Sequence, residues 1–213
     1  MYRIHEPPDP DKLAKFAERA TRFGVPVKLG REGSGPAVRD IQAALASIVG
    51  KPFERPLNGL LLRAMMQAKY SAENKGHYAL ASEHYVHFTS PIRRYPDFVV
   101  HRALKKALKL DGGALETDPV GISTACSNNE RRAVDAEREA VNLCRAIVLK
   151  DRVGESFAAT VTGVAEFGLF VEIDSPYCEG MLPVGSLGDD YYEYDADADT
   201  LTGRRNKRQF AVG

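Results

Sequence analysis

The chain has 213 residues, room for one large or two modest domains, and its apolar fraction of 44% is enough to bury a sizeable core. No apolar run is long enough to span a bilayer, and the start Met1-Tyr2-Arg3-Ile4-His5-Glu6 lacks the apolar core of a secretory signal. Cys126, Cys144 and Cys178 fit neither a disulfide frame nor metal-ligand spacing, so a reducing cytoplasm is the natural setting. The formal charge is zero but uneven: residues 1–150 carry 24 Lys and Arg against 17 Asp and Glu, and residues 151–213 carry 5 against 12. That split marks two units. A basic body suits an anionic polymer as ligand, and equally a merely solvated surface.

Residues 11–23 have the spacing of an amphipathic helix, with Leu13, Phe16, Ala17, Ala20 and Phe23 on one face and Gly24 as a stop. A Gly-rich loop follows over 25–35. A second helix is expected over 37–49, with Val38, Ile41, Leu45 and Ile48 on one face, ended by Gly50-Lys51-Pro52. A third is expected from Leu57 to Lys69, then loop and strand from Tyr70 to His87. Helix returns after Pro91 and reaches about Leu110. The longest helix covers 120–150, where Ala133, Ala136, Ala140, Leu143 and Ile147 step by three and four; this seam is expected to be core. The period then changes to that of strands at 157–162, 168–173 and 181–184, separated by turn residues such as Asp174-Ser175-Pro176. The acidic run Asp189 to Asp199 holds Tyr191, Tyr192 and Tyr194, so it is not a plain disordered tail.

The most informative stretch is His87-Phe88-Thr89-Ser90-Pro91-Ile92-Arg93-Arg94-Tyr95-Pro96-Asp97-Phe98-Val99-Val100-His101. Thr89 or Ser90 can cap a helix with Pro91 in its first turn, and unpaired N–H groups there attract an anion. Arg93 and Arg94 follow within a turn, and guanidinium groups bind phosphate in a two-pronged fork. Asp97 is placed to orient Arg93 by an i,i+4 pair. Two readings stand at this point: a phosphate clamp, or two arginines paired with carboxylates elsewhere.

This segment resembles the signature of the RNB family of exoribonucleases. The likeness extends to Tyr2-Arg3-Ile4-His5-Glu6-Pro7-Pro8, to Tyr70-Ser71-Ala72-Glu73-Asn74-Lys75-Gly76-His77-Tyr78, and to Glu130-Arg131-Arg132-Ala133 at the long helix. It covers nearly the whole chain. The resemblance implies processive 3′ to 5′ hydrolysis of RNA to nucleoside 5′-monophosphates, with magnesium assisting attack by water. It gives Arg93 the phosphate at the cleavage site, puts Arg94 beside it in RNA binding, and sets Glu137 near the RNA path, although an exposed helix residue is ordinarily just solvated. The family holds its magnesium through clustered aspartates in a segment before the region present here. No such cluster precedes Arg93, and Asp9 and Asp11 suit a helix start better. The metal site is therefore expected to be missing from this chain, which is then a fragment, a split gene product or a degenerate paralogue. His77, His84, His87 and His101 are bases in principle and are read as structural.

Downstream, Gly154-Glu155-Ser156-Phe157-Ala158-Ala159-Thr160-Val161-Thr162-Gly163-Val164, then Phe167-Gly168-Leu169-Phe170-Val171 and Gly180-Met181-Leu182-Pro183, resemble the S-one module, an OB-fold that binds RNA. Such barrels stack aromatic rings on splayed bases, which makes Phe167 and Phe170 candidates. Three apart, they face opposite ways on a regular strand; a bulge at Gly168 would turn both outward, and the alternative is that they fill the barrel. Pro183 stands where related modules often carry a histidine, and one or two further strands are expected beyond Gly213.

The expected fold class is α+β: a mainly helical C-terminal half of an RNB catalytic domain over 1–150, then a truncated OB-fold β-barrel over 151–213. Expected partners are single-stranded RNA and the N-terminal catalytic segment, with no membrane. Magnesium belongs to the complete enzyme, and this chain is expected to bind none. The alternative is a non-catalytic RNA-binding remnant.

Overall fold

The computed structural model describes residues 1–27, 38–51, 53–196 and 198–213. The Gly-rich loop from residue 28 on, the start of the second helix, Pro52 and Asp197 fall outside the described residues. The chain divides into two compact units, each drawn from two stretches of sequence: Met1–Asp9 with Met65–Arg138, and Pro10–Ala64 with Glu139–Gly213.

In the first unit, β1 (Tyr2–Ile4) pairs antiparallel with β2 (Lys69–Ser71), placing Arg3 opposite Tyr70. This pairing explains why the third helix stops short of Lys69. Met66 is already diverted from helix, and its carbonyl accepts a 2.6 Å bond from His5 Nε2. His5 Nδ1 accepts the Ala79 N–H at 3.2 Å, so the two ring nitrogens tie the residue after β1 to both segments. Helix α4 (Tyr95–Ala107) starts four residues later than Pro91 suggests. Ser90 carbonyl accepts the N–H groups of both Arg93 and Arg94, which winds Pro91–Arg93 into turns before the helix begins. Pro96 fits the first helical turn, where no N–H is needed, and Lys105 and Lys106 suit the last. Val99 is buried on the inner face.

Helix α5 (Pro119–Lys150) has 32 residues, roughly 48 Å at 1.5 Å per residue. Asp118 accepts the Gly121 N–H at 2.8 Å and caps its start. Its alanine-rich seam is not core. Leu143 is 63% exposed and Ile147 59%, and residues 131–144 are exposed all round. The spacing is helical as expected, but no described element of this chain covers it.

In the second unit, α1 (Pro10–Arg22), α2 (Val38–Ile48) and α3 (Glu54–Ala64) close on one another. Leu13, Phe16, Ala20, Ile41, Ile48, Leu57 and Leu61 form the larger core. The β part contains two antiparallel meanders: β3 (Ala159–Ala165), β4 (Gly168–Asp174) and β5 (Tyr177–Pro183), then β6 (Tyr192–Asp195), β7 (Thr200–Gly203) and β8 (Gln209–Phe210). Val164, Leu169, Tyr192 and Leu201 are its buried centre. The last three strands are not evident from sequence, because their apolar residues are few and mixed with Asp and Arg. At β3, Gly213 N–H donates to Val161 carbonyl at 3.0 Å. Among the described residues, no helix is long and apolar enough to cross a membrane.

Candidate nucleic-acid interface

The arginine loop of the first unit is held at its start by rings. His87 Nδ1 lies 2.9 Å from Tyr70 hydroxyl, and the Phe88 ring stacks on His101 at 4.2 Å. His101 Nε2 also reaches Phe88 carbonyl at 2.7 Å. The Tyr70 ring lies under the Arg3 guanidinium at 4.7 Å, and Arg3 in turn pairs with Glu130 at 2.6 Å. Burial pushes the Tyr70 hydroxyl up and the His87 imidazole down, with Arg94 and Arg3 adding to the latter by like charge.

Asp97 fixes the middle of the loop. Fully buried, its Oδ2 accepts the Ser90 N–H at 2.8 Å and an Arg94 N–H at 2.8 Å. Burial alone would raise its pKa; the Ser90 N–H and the Arg94 guanidinium outweigh it and hold the carboxyl below the usual range. The expected pair between Arg93 and Asp97 does not form, because the carboxylate turns inward and takes Arg94 at i,i+3 instead. The two arginines therefore part. Arg94 is engaged inside, whereas Arg93 is exposed with no ion pair among the described residues.

The anion cradle read from backbone N–H groups is also revised. Those of Ser90, Arg93, Arg94 and Asp97 are all bonded internally, and the helix cap is Arg94 rather than Thr89 or Ser90. Glu137 is exposed on α5. His84 Nδ1 meets the Asn74 amide at 2.6 Å, and the His77 ring packs edge-on against Tyr85 at 5.0 Å with its Nδ1 buried and without a hydrogen-bond partner among the described residues.

In the second unit both candidate rings face solvent, Phe167 at 59% and Phe170 at 43% exposed, 6.0 Å apart and edge to face. The reason is not a bulge at Gly168. Phe167 lies in the turn before β4, and the irregularity is on the opposite strand between Val161 and Gly163. Gly163 stands opposite Phe170, where an added Cβ would be 3.3 Å from the ring. Gly168 serves a different contact: a Cβ there would lie 2.2 Å from Leu182 carbonyl. Leu169, between the two rings, is in the core.

Sequence reasoning missed the Arg3–Glu130 pair and the bonds from Arg55 to Glu172 at 2.8 Å and Asp174 at 2.5 Å. No local pattern marks them, since each joins residues more than a hundred positions apart. Among the described residues, no three His, Cys, Asp or Glu side chains gather as a metal site, so they do not fit the magnesium that the family resemblance implies.

Comparison with known proteins agrees with these features. The RNB domain signature matches residues 1–110 and that of the S1 RNA binding domain matches residues 150–210. Ribonuclease R of Aquifex aeolicus is 42% identical over the whole chain, which spans 30% of that protein; that of Escherichia coli is 34% identical, and the chain spans 27% of it. The apo form of Mycoplasma genitalium RNase R superposes with a TM-score of 0.88 at 25% identity, over all of this chain and 34% of that one. A pseudonuclease, yeast Ssd1, superposes at 0.72 and 25% identity over 94% of this chain and 25% of its own. With the arginine-loop segment and an S1 module following in order, the chain belongs to the RNB family.

Proposed function

We propose that this chain is the C-terminal part of an exoribonuclease that degrades RNA processively from the 3′ end to nucleoside 5′-monophosphates in the cytoplasm. Residues 1–150 are the end of its catalytic domain and residues 151–213 its OB-fold RNA-binding module. The observation that carries the reading is the loop 87–94, clamped by Asp97 and presenting Arg93 to solvent. RNase R of Mycoplasma genitalium has been solved with ribose methylated single-stranded RNA and with double-stranded RNA, which supports RNA as the ligand.

Arg93 grips the phosphate beside the scissile bond, and its charge persists at any working pH. Arg94, shared with Asp97, lies beside it; Phe167 and Phe170 stack on bases, and Glu137 lies along the strand's path. Magnesium, when bound by carboxylates of an N-terminal catalytic segment, supplies the Lewis acid and the activated water. The residues present bind and orient the strand.

In the product of the complete gene, Arg93→Lys lowers turnover at least tenfold while RNA affinity stays nearly constant, because a point charge does not replace a fork and affinity is spread over many contacts. The assay is 3′ shortening of a 5′-labelled oligonucleotide, with products resolved as mononucleotides. Turnover near that of the wild type in Arg93→Lys removes the role. A second reading, a non-catalytic RNA-binding protein, is favoured by the lack of a metal-holding cluster among the described residues and by the likeness to a pseudonuclease. Binding without shortening by the complete gene product decides for it.

A further inference from the structure

In the second unit a cleft of about 640 Å³ lies between α3, with part of α1, and the face of β3–β5 that carries Phe170. Its size falls in the range of small-ligand sites, roughly 300–1,000 Å³. The charges around it are unequal in their freedom. Arg55 is taken by Glu172 and Asp174, and Arg19 by Asp199. Arg63 lines the same cleft with no ion pair among the described residues, its guanidinium lying over Gly59, where an added Cβ would stand 3.8 Å away. On the sheet side are the exposed ring of Phe170 and, opposite it in register, Met181, a soft and polarizable surface that is 47% exposed.

We propose that this cleft seats one nucleotide of a single RNA strand, with the base on Phe170 and Met181 and the phosphate on Arg63. The site is then composite: the β module supplies the stacking surface, and a helix from the other end of the sequence supplies the cation. The proposal rests on the reading that the chain binds RNA, and it adds a phosphate ligand outside both the arginine loop and the OB strands.

Three observations favour an anion here. Arg63 is the wall's uncommitted guanidinium, and guanidinium matches phosphate in geometry as well as charge. Arg19 ionises below its ordinary value, mainly through burial, with like-charge repulsion from Arg22 and Arg63 adding to it; a bound phosphate would offset that repulsion. The carboxylates lining the cleft are engaged within the protein: Glu172 accepts from Arg55, Asp199 pairs with Arg19, and Tyr177 hydroxyl lies 3.1 Å from both Glu172 and Glu179. Burial and these two carboxylates push that hydroxyl's pKa up to about 12, so it stays protonated and donates to one of them at a time.

The test is fluorescence anisotropy of the 213-residue chain with a labelled single-stranded oligonucleotide over a potassium chloride series. Arg63→Ala is expected to weaken binding about tenfold at low salt, as for loss of one charge-assisted contact. It should also reduce the slope of log affinity against log salt by about 0.7, one phosphate's share for a single strand. Arg63→Lys should keep the slope, and Phe170→Ala should weaken binding with the slope unchanged. In the double variant the two losses should combine to less than their product, because one nucleotide makes both contacts. Affinity and slope unchanged in Arg63→Ala, while Phe170→Ala still weakens binding, overturns the composite site and leaves RNA binding intact. No binding by the wild-type chain overturns the RNA reading itself.

Discussion

The carboxylate of Asp97 is fully buried, one oxygen shared by Ser90 and Arg94 and the other without a hydrogen-bond partner. Such a group is costly to keep and costlier to break, since its removal strands the Arg94 charge. Asp97→Ala should destabilise the fold by about 3–5 kcal/mol, read from urea denaturation, and Asp97→Asn by less because the amide can still accept the Ser90 N–H. A loss below about 0.5 kcal/mol in Asp97→Ala, the range of ordinary surface changes, would contradict its role as the strut of the loop. His77 and His87 give a second prediction. Burial, chiefly, holds both imidazoles below their ordinary range, with Arg3 repelling each. The unfolded chain then takes up protons first, so stability is full above about pH 6.5 and is lost as the pH falls below it. The urea midpoint should drop between pH 7 and pH 5, before the Asp97 carboxyl, held below about 4, begins to matter. An unchanged midpoint over that interval would rule this out. That Asp97 pairs with Arg94 and not Arg93 was not legible in the sequence: both spacings suit a helix, and the choice was made by the Ser90 N–H, which pulls the carboxylate inward.

The turn and start of β4 separate three neighbouring apolar residues by function. Phe167 and Phe170 face water while Leu169 between them is buried to 1%. Phe167→Ala and Phe170→Ala should each weaken single-strand binding by roughly 1–3 kcal/mol with the circular dichroism spectrum preserved. Leu169→Ala should instead cost about 2–5 kcal/mol of stability. Unfolding of either phenylalanine variant would return the rings to the core. Where an element buries a periodic apolar face, its place was readable: Leu13, Phe16 and Ala20 mark α1, and Val161, Leu169 and Val171 mark the first meander. β1 and β2 were not, because three residues carry no period and each is defined by a partner far along the chain. The α5 seam shows the opposite failure. Leu143 and Ile147 have the right spacing for core, but spacing tells which face a helix offers and not whether anything covers it.

For the molecule as a whole, the chain spans 26–30% of the curated relatives compared above and in Lactococcus lactis, and its described residues gather no carboxylate cluster. Arginine can bind and polarise a phosphate, but its charge is permanent near neutrality, so it cannot take a proton from water. The purified 213-residue chain should therefore bind single-stranded RNA with strong salt dependence and release no nucleotides over a magnesium series. Stepwise 3′ shortening that survives repurification and vanishes in Arg93→Ala would refute this and direct the search to Asp97, Glu130 and Glu137.

Both compact units are assembled from the two ends of their sequence, and this sets a timetable for synthesis. Arg3 finds Glu130 only when 127 more residues have been made, which takes roughly 6–25 s at 5–20 residues per second. Until then the helices of residues 10–64 can close on one another, but the strands they share a unit with do not yet exist. β1 waits only for β2 at Lys69–Ser71, whereas the much longer loop between Arg3 and Glu130 closes last, an entropic cost met late. Ribosome-bound intermediates stalled before residue 130 should hold the α1–α3 core and lack the Arg3–Glu130 pair.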